Sequence, residues 1–269
     1  RHLEKTKGFF LKEVSARVCG QLERKAVFDP DMSPSAQMFY EELWLNTACE
    51  SWPSTFDVYR KEDGVEIGQN DGFRRFGKYR IMGHENRLRG ETLISHNTVF
   101  GKGDDKKDAN RAEFGKRYEE FVRRYHSLAN FLPLPYCMNR WKGTTRDFPD
   151  LLFLLIRAHY LEDGWDRLLP ELKYGSREAK LAESFKDKIE KHWDIKYYLG
   201  YFEDWDDFVD KNYLRGSFVD EKGEVKLLFG DSFEKRFESS IDNEKKKEFI
   251  ETSFDIWEDR AEVLANAAH

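Results

Sequence analysis

Apolar positions recur at helical spacing along several stretches of the chain. Residues 111–128 place Phe114, Tyr118, Phe121, Val122, Tyr125 and Leu128 on one stripe, with Lys116, Arg117, Glu119, Glu120, Arg123 and Arg124 elsewhere. That spacing predicts an amphipathic helix lying over a core. Residues 243–266 align Phe249, Ile250, Phe254, Trp257, Ala261 and Leu264 and predict a long docking helix. "DLLFLLIRAHY", from Asp150, is apolar nearly all round, so it predicts a central helix opened by Phe148 and Pro149 and capped by Asp147. "SREAKLAESFKDKIEKHW" predicts an exposed helix capped by Ser176, and "DWDDFVDKNYL" a shorter one. Ser33 followed by Pro34 reads as a cap and first-turn proline, with Phe39, Leu43 and Trp44 behind it, so a helix is expected over 34–47. Residues 5–27 suit an amphipathic helix, or a strand followed by a helix.

The texture changes between 51 and 100. Gly64, Gly68, Gly72, Gly77, Gly83 and Gly90 punctuate short runs rich in β-branched and aromatic residues, among them "TFDVYR", "KYRIM" and "ETLISHNTVF". These read as strands joined by turns. "SFVDEKGEVKLLF" reads as a hairpin about "DEKG", and "GKGDDKKDAN" at 101–110 as a charged, mobile loop. "LPLP" at 132–135 is excluded from any helix, because each proline lacks an amide donor and drives the preceding residue towards extended geometry. The expected architecture is α+β. It is a mainly helical single domain over 1–269 around a small, glycine-punctuated antiparallel sheet, with the sheet at about 51–100 and helices over about 111–266.

Composition narrows the class. The chain has 269 residues, enough for a full core, and its 36% charged residues describe a heavily charged surface. A net charge of −6 argues against a protein that coats nucleic acid through bulk electrostatics, because counterion release needs clustered Lys and Arg. Local basic segments keep nucleic acid as a lesser reading. No apolar run reaches the roughly 18 residues of a membrane span, and the start lacks the apolar stretch of a signal peptide, so a cytoplasmic location without membrane contact is expected. Cys19, Cys49 and Cys137 have no paired spacing, which predicts neither a disulfide framework nor a zinc site.

None of the usual phosphate-loop, dinucleotide, nucleophile-elbow or zinc-protease signatures occurs. Four weaker constellations remain. In "LISHNTVFG", His96 and Asn97 follow a strand and precede a loop, where sheets present polar groups to ligands, and the imidazole titrates near neutrality. The competing reading is a histidine that bonds a turn. Arg74, Arg75, Lys78, Arg80, Arg87 and Arg89 form a basic cluster, in which Lys78 and Arg80 share a strand face and could fork onto phosphate; His84 and Glu85 lie in the turn between. A charged, solvated edge strand gives the same pattern. Asn130, Asn139, Arg140, Arg146 and Asp150 flank the proline stretch and could wall a pocket with little entropy lost on binding. Equally, Asn130 could bond loop backbone and the arginines pair with Asp147 or Asp150, making a corner with no ligand. Finally, Glu203, Asp204, Asp206, Asp207 and Asp210 offer carboxylates for a cation or for acid–base work, against an amphipathic helix with inward aromatics and solvated acids.

The segments "NFLPLP", "RDFPDLLFLLIRAHY" and "YYLGYFEDWDDFVDKNYLRGSFVD", with "DPDMSPSAQMFYEELW" and "ETLISHN", resemble an uncharacterised family of bacterial and phage-encoded intracellular proteins. The chain departs from that pattern in having Ala129 where glycine is usual. The resemblance singles out Asp31, His96, Asn130, Pro133, Pro135, Arg146 and Asp150 and implies no particular reaction.

The leading expectation is a pocket between the sheet and the 130–150 loop for a phosphorylated or nucleotide-like ligand. It would be lined by Arg80, His96, Asn97, Asn130, Asn139, Arg140, Arg146 and Asp150. One concrete form is an NAD-using transferase with Arg80 on phosphate and His96 on the sugar; no resident cofactor or metal is identified. The second reading is a non-enzymatic phage or defence-related effector that binds a protein partner through an exposed acidic–aromatic surface. The third is nucleic-acid binding through the basic residues of 74–89 and 111–124.

Overall fold

A computed structural model describes residues 2–11, 88–94, 97–101, 103–125, 127–135, 149–172, 177–191, 193–200, 202–228 and 241–267. Among these the protein is mainly helical. In chain order come α1 (His2–Phe10), β1 (Leu88–Thr92), the single turn α2 (Asn97–Phe100), α3 (Asp104–Arg124) and β2 (Phe131–Pro135). There follow α4 (Pro149–Tyr160), α5 (Gly164–Glu171), α6 (Arg177–Lys191), α7 (Trp193–Leu199), α8 (Trp205–Lys211) and α9 (Asn243–Ala267). The helix expected over 34–47, the caps Ser176 and Asp147, and the three cysteines lie outside the described residues.

The antiparallel sheet expected over 51–100 is not supported. Of that segment the described residues hold one strand, β1, and its partner is the proline stretch β2, paired antiparallel from Leu88↔Pro135 to Thr92↔Phe131. Just past β1, the Leu93 amide donates to the Asn130 carbonyl at 2.7 Å, which makes 91↔132 and 89↔134 the couples that exchange hydrogen bonds. Pro133 and Pro135 therefore oppose Gly90 and Leu88 at positions whose amides would point off the ladder. Both prolines keep their extended φ without costing a ladder bond.

Three other expectations change. The strand read in "ETLISHNTVF" ends at Thr92, and Asn97–Phe100 form a helical turn. Residues 104–110 belong to α3 rather than to a loop: Asp104 and Asp105 occupy the first turn, where the helix dipole favours acids, and Lys107 N–H closes onto Gly103 O at 3.1 Å. The hairpin expected over 217–229 shrinks to a turn closed by the Val219↔Val225 bridge, with Asp220 N–H on Glu224 O at 2.8 Å and Gly223 N–H on Asp220 O at 3.1 Å.

The apolar stripes become one contiguous core. In α4, Leu151, Leu152, Phe153, Leu155 and Ile156 are fully buried. In α9, Phe249, Ile250, Phe254, Trp257, Ala261 and Leu264 are buried, and α1 and α3 lie against this helix. Phe121 of α3 meets Trp257 at 5.2 Å and Phe249 at 5.7 Å between ring centroids. No helix among the described residues is long and apolar enough to cross a membrane.

The α4–α5 corner depends on a glycine. Gly164 N–H donates to Leu161 O at 3.0 Å, and a β-carbon there would lie 2.3 Å from Ala158 O and 2.6 Å from its Cα. Backbone cannot step aside as a flexible side chain does. Gly164→Ala is expected to cost about 2 kcal/mol by overpacking, read as a lower urea midpoint with an unchanged slope; an unchanged midpoint would show that the corner yields.

Candidate functional site

Two of the residues expected to line the pocket, Asn130 and Asp150, have described side chains, and both hold backbone. Asn130 ends a 3-10 turn, Leu128–Asn130, just before β2, and is 0% exposed. Its Oδ1 accepts from Ile94 N at 2.8 Å, while Nδ2 donates to Ile94 O at 2.6 Å and Tyr125 O at 2.7 Å. The amide thus acts as a surrogate peptide. It continues the β1–β2 ladder by one residue and ties it to the end of α3, satisfying buried groups that would otherwise be orphaned.

Asp150, 1% exposed, sits in the first turn of α4. Oδ1 accepts from Leu151 N at 2.9 Å and Oδ2 from Leu228 N at 2.9 Å. An acid in a first turn suits the helix dipole, and here it also pins the strand-like residue 228 across the start of the central helix. Asn97 opens α2. Arg80, His96, Asn139, Arg140 and Arg146 lie outside the described residues, as do Arg74, Arg75, Lys78, His84, Glu85, Arg87 and Asp31.

The ladder has two ends. Residue 87 precedes Leu88 and residue 136 follows Pro135, and Leu88 and Pro135 are paired. In sequence, this end of the ladder continues the basic 74–89 stretch on one strand and precedes "NRWKGTTRD" on the other, and apart from residues 88 and 89 both stretches lie outside the described residues. The other end is Thr92↔Phe131, followed by the Asn130 clasp on Ile94. Five-residue strands put those two ends about 14 Å apart.

The acidic segment resolves differently from a catalytic pair. Tyr198, Phe202, Trp205 and Phe208 are buried, while Asp206 and Asp210 both hold Arg215, at 2.6 and 2.5 Å. Asp204 caps α8 by accepting from Asp207 N at 2.8 Å, and Asp207 holds Lys211 at 2.8 Å. Tyr160 donates its hydroxyl to Leu199 O at 2.6 Å; burial, with help from Asp207 and Asp204, pushes its pKa far up. It is therefore a neutral structural donor. Among the described residues no group of three His, Cys, Asp or Glu side chains is placed to hold a metal ion.

The basic face of α3 is compensated. Arg117 pairs with Glu251, and Arg124 with Glu258 at 2.8 Å, both across to α9; Arg111 holds Asp108 at 2.9 Å. Exposed pairs of this kind contribute little to stability, yet they leave few of these charges for phosphates.

Arg260 was not singled out by sequence, though it falls on the buried stripe of α9 three residues after Trp257. Only 2% exposed, it donates to Ala129 O at 3.2 Å and Asn212 O at 3.3 Å, and its guanidinium stands 5.6 Å from the Phe218 ring centre. A charge on an apolar stripe is the signal that could have found it.

No family model matches the chain, and neither the curated proteins nor the solved structures contain a significant match to it.

Proposed function

We propose that this is an intracellular protein that binds a phosphorylated or nucleotide-like ligand between the segment entering β1 and the segment leaving β2. Arg80, Asn139, Arg140 and Arg146 are its contacts in this reading. The supporting observation is the Leu88↔Pro135 register, which pairs the two residues next to which two arginine-bearing stretches continue in sequence. Planar guanidinium groups from two directions suit a phosphate better than any single basic run does. Asn130 and Asp150 are anchors of the frame in this reading, because their polar atoms hold backbone. His96 and Asn97 follow the far end of the ladder and carry no assigned contact. Membership of the uncharacterised family is proposed on its motifs alone.

The competing readings draw less support. Among the described residues the exposed large apolar side chains are Phe9 in α1 and Leu161 in the bend between α4 and α5, and only the first is aromatic. The arginines of α3 that nucleic acid would need are largely paired with acids.

Thermal unfolding of the full chain with ATP, NAD, inorganic phosphate and a short DNA duplex, at fixed ionic strength, tests the proposal. One of the first three should stabilise by about 2.7 kcal/mol at a hundredfold excess over its Kd. The effect should vanish in Arg140→Ala/Arg146→Ala, whose unliganded midpoint stays unchanged, and persist in His96→Ala. A shift with DNA alone, or none at all, overturns the reading.

A further inference from the structure

We propose that the first half of α3, residues 104–114, is a strap hinged at Gly115 that exchanges between the bent form of the structure and a straight extension of the helix body.

Gly115 interrupts α3 with φ 56° and ψ −133°, a conformation that L residues rarely adopt. Nothing lies within 4 Å of where its β-carbon would be. Packing therefore does not demand glycine there; the bend does. The opposite end of the strap is also glycine-built, with Gly101 at φ 81° and Gly103 at φ 105°.

The two halves are held very differently. Beyond the bend, Tyr118 and Phe121 are buried, and Arg117 and Arg124 reach α9. In the strap the buried residue is Asn110, whose Nδ2 donates to Phe100 O at 2.9 Å and to Lys106 O at 2.7 Å. Phe114 adds an edge contact to Phe100 at 6.0 Å. Arg111 and Glu119 meet at 3.2 Å across the bend. They stand eight positions apart, which is about 12 Å along a straight helix and outside the spacing at which helix neighbours touch. That pair belongs to the bent form alone.

Each form has its own compensation. Bending gains the Asn110 latch, the Phe114 contact and the Arg111–Glu119 clasp; straightening regains continuous helical hydrogen bonds through 115. Elements with few buried contacts between flexible ends open first. Opening would take the Asn110 donor and the Phe114 ring away from Phe100, the last residue of α2, which keeps its contacts with Tyr118, Phe121 and Phe249.

Hydrogen exchange on the full chain tests this. Amides 108–114 should exchange together at least tenfold faster than 118–124, and Asn110→Ala should speed the strap a further fivefold while leaving 118–124 unchanged. Gly115→Ala, which favours the straight form, should increase the far-UV helical signal and slow strap exchange towards that of 118–124. One uniform rate over 108–124 in the unmodified chain would sink the proposal. So would Asn110→Ala accelerating both halves alike, or a Gly115→Ala chain with unchanged or reduced helical signal.

Discussion

Asn130→Ala is expected to lower stability by about 4 kcal/mol, because two buried backbone groups and a third, part-buried one lose their partner, and a buried one costs about 1–3 kcal/mol when left unsatisfied. Those groups are Ile94 N–H, Ile94 C=O and Tyr125 C=O. For a chain of this size the melting temperature should fall by roughly 8–16 °C. Asn130→Asp separates the donor and acceptor roles. It keeps an acceptor for Ile94 N but turns a carboxylate towards two carbonyl oxygens, so the folded state favours the protonated acid and raises its pKa above the unfolded value. The sign follows: that contribution is present in full below the unfolded pKa and is lost as pH rises through the folded one. Urea unfolding should place Asn130→Asp closer to the unmodified protein at pH 5 than at pH 8. A gap independent of pH would mean that the amide does not face those carbonyls.

The same residue marks how far the sequence could be read. Its place beside the proline stretch drew attention to it, and residue type alone left two directions open, towards a ligand or towards backbone. Direction is a tertiary fact, set by where Ile94 and Tyr125 arrive. Asp150 repeats the case, since its second oxygen is met by Leu228, 78 positions away. Helices whose burial is written as a stripe were legible: the six apolar positions of α9 all face the core, and α4, apolar nearly all round, is central. Extended geometry at "LPLP" was legible too, because proline restricts its own backbone and that of its neighbour. Its partner strand was not, since pairing across more than thirty residues leaves no local mark. The start of α3 was misread because glycines bracket it and it has almost no apolar face; only the acids of its first turn pointed to a helix. For the binding proposal, the ladder supplies anchors, while Arg80, Asn139, Arg140 and Arg146 stay with the sequence argument.

Arg260→Ala should cost about 3–4 kcal/mol, the sum of a buried stem lost to a cavity and carbonyls deprived of donors. Arg260→Met, which keeps most of the stem volume, should cost less, and the difference between the two separates packing from hydrogen bonding. Arg260→Lys should recover little, because one ammonium does not reproduce a planar fork that reaches Ala129 O and Asn212 O from separate nitrogens. The informative measurement joins this site to the first. Arg260 holds the carbonyl of Ala129, and Asn130 is the next residue, so both side chains fix one turn. Once either is gone the turn is already loosened, and the second loss should cost less than it does alone. The double variant Asn130→Ala/Arg260→Ala is expected to fall short of the sum of the singles by at least about 1 kcal/mol, within the range seen for residues sharing a network. Additive losses in urea unfolding would show instead that α9 and the β1–β2 ladder are secured independently.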